Sequence, residues 1–217
     1  MTALPSVIHV VDDDVSFRTA MSRLLRDAGY EVALYESGRQ FLQRFPAGGS
    51  GCILLDVRIP GLSGPELQDE LARRSCAFPI IFLTGHGDIP TSVRVTKAGA
   101  EDFLTKPVSR AKLLAAIERA LAHHETMRGQ RDRLDALRAL AATLTPRERQ
   151  VFELVVRGKF NKQTAHELGT TERTIKAHRQ KVMEKLRAQS LVELVSIAER
   201  LGIPTVPAAL ERGAPHG

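Results

Sequence analysis

The sequence predicts an α/β protein in two parts. A doubly wound, five-stranded parallel sheet comes first, and a long helical linker then leads to a smaller all-α module of four helices. Three observations predict this. Short β-branched runs alternate with helix-like stretches over the first 120 residues, and only helical periodicity follows. Turn residues stand at the joints between the runs. Charge divides at the same place: residues 1–120 hold 14 Lys/Arg and 14 Asp/Glu, whereas residues 121–217 hold 17 and 11.

The expected strands are VIHVV (7–11), EVALY (31–35), CILLD (52–56), PIIFL (79–83) and EDFLT (101–105). Near-continuous apolar runs of this kind suit parallel strands buried on both faces. Helices are expected near 14–24, 37–44, 64–74, 89–98 and 109–123, with Gly29, Gly61, Gly64, Gly87 and Gly99 at the joints. Five strands alternating with five helices imply a sheet covered on both sides. Such sheets commonly take the order 2-1-3-4-5, with a ligand crevice beyond the strand C-termini where strands 1 and 3 meet.

From about 109 to 143 the chain reads as one long helix. Leu113, Ile117, Ala120, His124 and Met127 recur at helical spacing, as do Leu134, Leu137, Ala141 and Leu144. Gly129 lies between the two series and weakens a continuous helix by about 1 kcal/mol relative to Ala. A solvated linker is expected, with a dimeric coiled coil as the alternative; the interrupted seam and His124 favour the linker. Four short helices follow from Leu144 to Ile203. Thr145 can cap the first, with Pro146 at its first position, and Gly158, Gly169 and Gln189-Ser190 mark the breaks. The expected divisions are 6–122, 123–143 and 144–203, then a tail at 204–217. That tail is rich in Pro, Ala and Gly and is expected to be disordered.

Composition sets limits on function. Apolar content of 43% and charged content of 26% are ordinary for a soluble globular protein. The apolar runs are far too short to span a bilayer. MTALPSVIHVV has no basic n-region, so no secretory signal is expected and a cytoplasmic location is. Cys52 opens an apolar run and reads as a small buried hydrophobe. It has no metal-ligand spacing with Cys76, and no disulfide is expected. Residues 145–187 alone hold 11 Lys/Arg against 5 Asp/Glu, a basic focus suited to a polyanion. Membrane binding is the competing reading, but no strongly apolar helix face is left over for it.

The stretch VIHVVDDDVSF (7–17) places three aspartates at the end of a buried strand. Like charges at contact distance repel, so a cation must offset them. Asp12 and Asp13 end strand 1, Asp56 ends strand 3, Thr84 ends strand 4 and Lys106 follows strand 5. Taken singly, each has a bland explanation as a cap, a loop residue or a solvated charge. Five polar groups at the same edge of one sheet are better read as a phosphoryl-accepting pocket. Carboxylates hold Mg²⁺, a hard cation that keeps waters and favours phosphate partners. A further carboxylate is the nucleophile. Lys106 neutralises phosphoryl oxygens and Thr84 hydrogen-bonds one of them. Asp14 is read differently, as the N-cap of the helix that begins VSFRTAM.

With VVDDD, LLDVRIPGLSG, FLTGHGD and GAEDFLTKPV in view, residues 6–122 resemble the CheY-like receiver domain of two-component response regulators. The resemblance implies that Asp56 accepts a phosphoryl group from a sensor histidine kinase. It implies that Asp12, Asp13, Asp56 and the backbone carbonyl of Arg58 hold Mg²⁺. It makes Thr84 and Phe103 a switch pair, and the Lys106-Pro107 bond cis.

In the basic half, NKQTAHELGTTERTIKAHRQKVMEKL (161–186) reads as helix, turn, helix, with Asn161 and Thr171 as caps. Ile175, His178, Val182 and Leu186 share the core face of the second helix. Arg173, Lys176, Ala177 and Gln180 occupy the opposite face, which suits a major groove. A solvated basic helix in an ordinary bundle fits the periodicity equally well. LTPRERQVFELVVRGKFNKQTAHELGTTERTIKAHRQKVMEKL resembles the LuxR-type helix-turn-helix of the NarL/FixJ regulators, and this favours DNA. The resemblance implies base-facing positions at Lys176, Ala177 and Gln180, and dimerisation partly through a fourth helix near 190–201. Lys162, Thr174, Arg179 and Lys181 are the expected phosphate contacts. RNA polymerase is a further expected partner.

Two other readings compete. An aspartyl-phosphate phosphatase of the haloacid dehalogenase type needs a second Asp two residues after its nucleophile, and position 58 is Arg. A receiver with a protein-binding output would lack the basic focus. A DNA-binding transcription regulator controlled by phosphorylation, and not an enzyme, is the expectation.

Overall fold

The computed structural model describes residues 6–44, 50–85 and 89–205. Gly87 and residues 206–217 of the expected tail lie outside the described residues. The chain divides into two compact units, Met1–Arg128 and Gly129–Gly217.

In the first unit the elements run β1 (Val7–Val11), α1 (Val15–Asp27), β2 (Glu31–Tyr35), α2 (Gly38–Arg44), β3 (Gly51–Asp56), α3 (Gly64–Arg73), β4 (Ile80–Thr84), α4 (Ile89–Lys97), β5 (Asp102–Thr105) and α5 (Arg110–Ala142). The sheet is parallel throughout, in the order β2-β1-β3-β4-β5. Its pleat sorts β3 between two cores. Ile53 and Leu55 pack with Phe41, Leu67, Leu71 and Val95 from α2, α3 and α4. Cys52 and Leu54 pack with Met21, Leu25, Leu113 and Ile117 from α1 and α5. Register aligns the strand ends: Val11 lies opposite Tyr35 and Leu55, Asp56 opposite Leu83, and Thr84 opposite Thr105. Asp12, Asp56, Thr84 and Lys106 therefore share one edge.

Most element bounds fall within a residue or two of expectation, and α1 runs three residues further, to Asp27. Asp14 caps α1 as expected, accepting from the N–H groups of Ser16 (2.7 Å) and Phe17 (3.2 Å). Cys52 is buried and Cys76 half-buried, and both are free. Helix α5 passes through Gly129 without a break. Its first apolar series is not a coiled-coil seam. Leu113, Ile117, Ala120 and His124 are buried in the first unit, and only Met127 is exposed. Of the second series, Ala141 and Leu144 belong to the core of the second unit.

The second unit holds the end of α5 with α6 (Pro146–Val156), α7 (Asn161–Glu167), α8 (Glu172–Leu186) and α9 (Leu191–Arg200). Val151, Phe152, Val155, Ile175, Val182, Leu186, Leu194 and Ala198 form its core. Asn161 is not the cap of α7. Phe160 occupies that position, and Asn161, inside the first turn, accepts from Arg179 Nη1 at 3.3 Å. Its amide is used to tie α7 to α8, which local sequence cannot reveal. Among the described residues, no helix is long and apolar enough to cross a membrane.

Thr145 and Glu148 form a capping box on α6. Glu148 is buried, and its Oε2 accepts from the Thr145 N–H (2.8 Å) and from Lys185 Nζ (2.6 Å), which also reaches the Thr143 carbonyl (3.1 Å). Lys185 first, and the Thr145 N–H second, hold the Glu148 carboxyl down to about 2 from its ordinary 4.5. A carboxyl depressed on folding stabilises the fold above its ordinary value, and that contribution is lost as pH falls through the folded value. The stability gap between wild type and Glu148→Gln should therefore be full above pH 4.5 and close as pH approaches about 2. Thermal unfolding across that range checks it.

Candidate functional site

At the C-terminal edge of the sheet, ligand oxygens of Asp12, Asp13 and Asp56 lie within 4.8 Å of one another. Asp12 is only 1% exposed, Asp56 is half-buried and Asp13 faces solvent. Lys106 bridges the two inner carboxylates: its Nζ donates to Asp12 Oδ2 at 2.6 Å and to Asp56 Oδ2 at 2.9 Å. Backbone donors fix the remaining oxygens. The Asp14 N–H reaches Asp12 Oδ1 at 2.9 Å, and the Arg58 N–H reaches Asp56 Oδ1 at 3.2 Å.

Burial pushes the Asp12 carboxyl upward despite the pull of Lys106 and the Asp14 N–H, and the nearby Asp56 charge adds to the rise. Burial acts on Lys106 in the opposite sense, but its bonds to Asp12 and Asp56 outweigh it and the ammonium titrates higher than usual. Among the described residues, Lys106 is the one cation hydrogen-bonded to these carboxylate oxygens, and it reaches two of the three. An all-oxygen set with few protein carboxylates fits a hard divalent cation.

Of the other expected residues, Thr84 stands at the same strand-end edge and Phe103 lies further inside the sheet. Thr84 is buried at the end of β4, and its carbonyl accepts the Lys106 N–H at 2.6 Å. Phe103 is half-buried in β5 opposite Phe82, packed on the core under α2, α3 and α4. The Lys106-Pro107 bond is cis, as expected. Arg58 follows directly in the loop after β3, with Gly61 at φ +86°. His86, Gly87 and Asp88, which end the FLTGHGD motif, lie outside the described residues. Two neighbours escaped the sequence reading. Arg18 Nη1 donates to the Asp12 carbonyl at 2.6 Å, and the Phe17 ring centroid stands 4.0 Å from Lys106 Nζ. Their spacing of four and five residues from Asp13, on the first turn of a capped helix, was the available signal.

In the second unit, Arg173, Lys176, Ala177, Gln180 and Lys181 are exposed on α8, while Ile175, Val182 and Leu186 are buried behind them. His178 is half-buried at the core edge, and its Nδ1 has no partner. Lys162 is exposed on α7. Thr171 caps α8 as expected, accepting the Thr174 N–H at 3.2 Å. Some expected phosphate contacts are engaged internally: the Thr174 hydroxyl pairs with that of Thr171 (2.9 Å), and Arg179 holds Asn161. Gln180 Nε2 donates to Glu184 Oε1 at 3.0 Å.

A parallel 2-1-3-4-5 sheet with this acidic pocket, followed by a basic helix-turn-helix module, defines a signal-responsive regulator that reads DNA. Comparison with known proteins agrees. Residues 8–118 match the response regulator receiver domain, and residues 142–198 match the bacterial regulatory proteins of the luxR family. Nodulation protein W of Bradyrhizobium diazoefficiens is 46% identical over 198 residues, covering 91% of this chain and 87% of that protein. The transcriptional regulatory protein FixJ of the same organism is 41% identical, covering 90% of this chain and 96% of its own. Among solved structures, response regulator StyR superposes with a TM-score of 0.83 at 45% identity, over 91% of this chain and 100% of that one. The chain belongs to the NarL/FixJ family of response regulators, built from a receiver domain and a LuxR-type DNA-binding domain. It is a transcriptional response regulator.

Gly64 sets how closely α3 approaches the pocket. A Cβ there would run into the Asp56 carbonyl oxygen and stand 2.9 Å from Phe82 Cε1 and 3.1 Å from Val57 Cα. Gly64→Ala should therefore displace β3 at Asp56 and destabilise the first unit by about 1–3 kcal/mol, as overpacking does. Scanning calorimetry should show that loss, with unfolding of the second unit unchanged.

Proposed function

We propose that Asp56 is the phosphoacceptor and that a sensor histidine kinase is the donor. The observation that carries this is the convergence of Asp12, Asp13 and Asp56 with Lys106 bridging Asp12 and Asp56. An Asp56 carboxylate oxygen attacks phosphorus; a P–O bond forms as the donor's P–N bond breaks. Asp12, Asp13, Asp56 and the Arg58 carbonyl are the proposed holders of Mg²⁺, which when bound neutralises the developing phosphoryl charge. Lys106 meets the incoming oxygens with a cation already in place, and Thr84 supplies a hydroxyl. Phosphorylation draws Thr84 inward, Phe103 follows, and the face of α4, β5 and α5 repacks to favour a homodimer.

The proposed divisions are a receiver at 6–122, a linker at 123–143 and a DNA reader at 144–203. Lys176, Ala177 and Gln180 face bases, with Arg173 beside them; Lys162, Thr174, Arg179 and Lys181 contact phosphates. Dimerisation gives each weak half-site reader a high effective concentration beside its partner. The complex acts on promoter DNA in the cytoplasm and engages RNA polymerase.

Acetyl phosphate with Mg²⁺ should add one phosphoryl group to the wild type and none to Asp56→Asn, read by intact mass. Beryllofluoride should raise the sedimentation coefficient of the wild type toward a dimer. A phosphoryl group gained by Asp56→Asn at the wild-type rate would overturn the assignment.

For the DNA face, Lys176→Ala should weaken operator binding by roughly 1–3 kcal/mol and relax base preference. Titrations against operator and random duplexes at fixed salt separate a base contact from a phosphate contact: equal losses on both would place Lys176 on the backbone alone.

A further inference from the structure

We infer that Phe17 is a positioning residue for phosphoryl transfer, acting through Lys106 by holding its ammonium against the aromatic face; this rests on Asp56 being the phosphoacceptor. A lysine ammonium has three donors on a flexible four-carbon stem. Here Asp12 and Asp56 each take one donor, and the Phe17 ring centroid lies 4.0 Å from Nζ. That distance is well inside the range in which a ring face attracts a cation. The Lys106 side chain is 19% exposed, so the ring covers a side of the ammonium that water would otherwise occupy.

The ring is itself fixed. Phe17 is the third residue of α1, and its N–H is held by the Asp14 cap. Its side chain packs on the core between the sheet and helices α1 and α5. Arg18, next in sequence, ties the same helical turn to the Asp12 carbonyl. The first turn of α1 is thus tied to the strand end that carries the carboxylates, and Phe17 reaches from it to the cation they share.

The consequence concerns the transfer step. With acetyl phosphate, an Asp56 oxygen forms a bond to phosphorus as the bond to the acetate oxygen breaks and acetate leaves. Lys106 must stay within reach of Asp56 while its Oδ2 partner becomes part of an acyl phosphate. A lysine free to swing into solvent spends less time there. The ring restricts that swing, so its contribution is pre-organisation and not charge.

The test uses the full-length protein. Phe17→Leu keeps an apolar side chain and removes the ring face; Phe17→Tyr keeps the face; Phe17→Met serves if the Leu variant does not fold. Phosphorylation by acetyl phosphate with Mg²⁺ is followed by intact mass across donor concentrations. Phe17→Leu should lower the limiting rate roughly three- to tenfold, as loss of one cation–π contact implies. Half-saturation should be unchanged, and Phe17→Tyr should restore the rate. In a Lys106→Ala background the Phe17→Leu change should have no further effect, because the two act as one unit. In unphosphorylated protein, the Lys106 Hε resonances should carry an upfield ring-current shift that Phe17→Leu abolishes and Phe17→Tyr keeps. An undiminished rate in Phe17→Leu, a full effect without Lys106, or no ring-current shift would each overturn the role of Phe17. Phosphorylation of Asp56→Asn would instead overturn the phosphoacceptor reading, and the resonance measurement would still decide whether the ring holds the lysine.

Discussion

The Lys106 ammonium, shared between Asp12 and Asp56, is the contact around which the pocket of the first unit is arranged. It draws together carboxylates from two strands and is supplied by the loop after a third. It exists only because the register brings the ends of β1, β3, β4 and β5 level. Several features then serve that convergence. Gly64 lets α3 start against the Asp56 carbonyl, the Asp14 cap turns the chain away directly after the pocket, and the Thr84 carbonyl holds the Lys106 N–H.

In the pocket one ammonium is bonded to two of three clustered carboxylates. Burial raises the cost of keeping Asp12 charged, and ligand oxygens of Asp12, Asp13 and Asp56 lie within 4.8 Å of one another. In the proposed reaction the added phosphoryl group changes that balance again, and Thr84 stands at the same strand-end edge. The second unit treats charge in the opposite way. Among the described residues its one buried acid, Glu148, is paired with Lys185 and the Thr145 N–H and serves the fold. Arg173, Lys176 and Lys181 of α8 stay outside, facing water, where a polyanion can reach them.

Helix α5 shows how a sequence pattern can have two explanations of equal regularity. Apolar residues at helical spacing suggest a seam for a second helix. Here the N-terminal series is consumed by the sheet and the C-terminal residues by the helical core of the second unit. Gly129 falls where α5 passes from one unit to the other, and a Cβ there would meet nothing.

The sequence by itself determined the strand and helix order, the cap at Asp14, the pocket residues and the basic face of α8. Each rests on periodicity, turn chemistry or a charge placed at a strand end, and these are local signals. Tertiary structure alone decided the rest. Asn161 looks like a cap and is instead a tether for Arg179, because its amide meets a helix 18 residues further on. Phe17 reads as one apolar position on an amphipathic helix, yet it covers Lys106, 89 residues away in the chain, since only the fold brings a ring and a cation from distant segments to 4.0 Å.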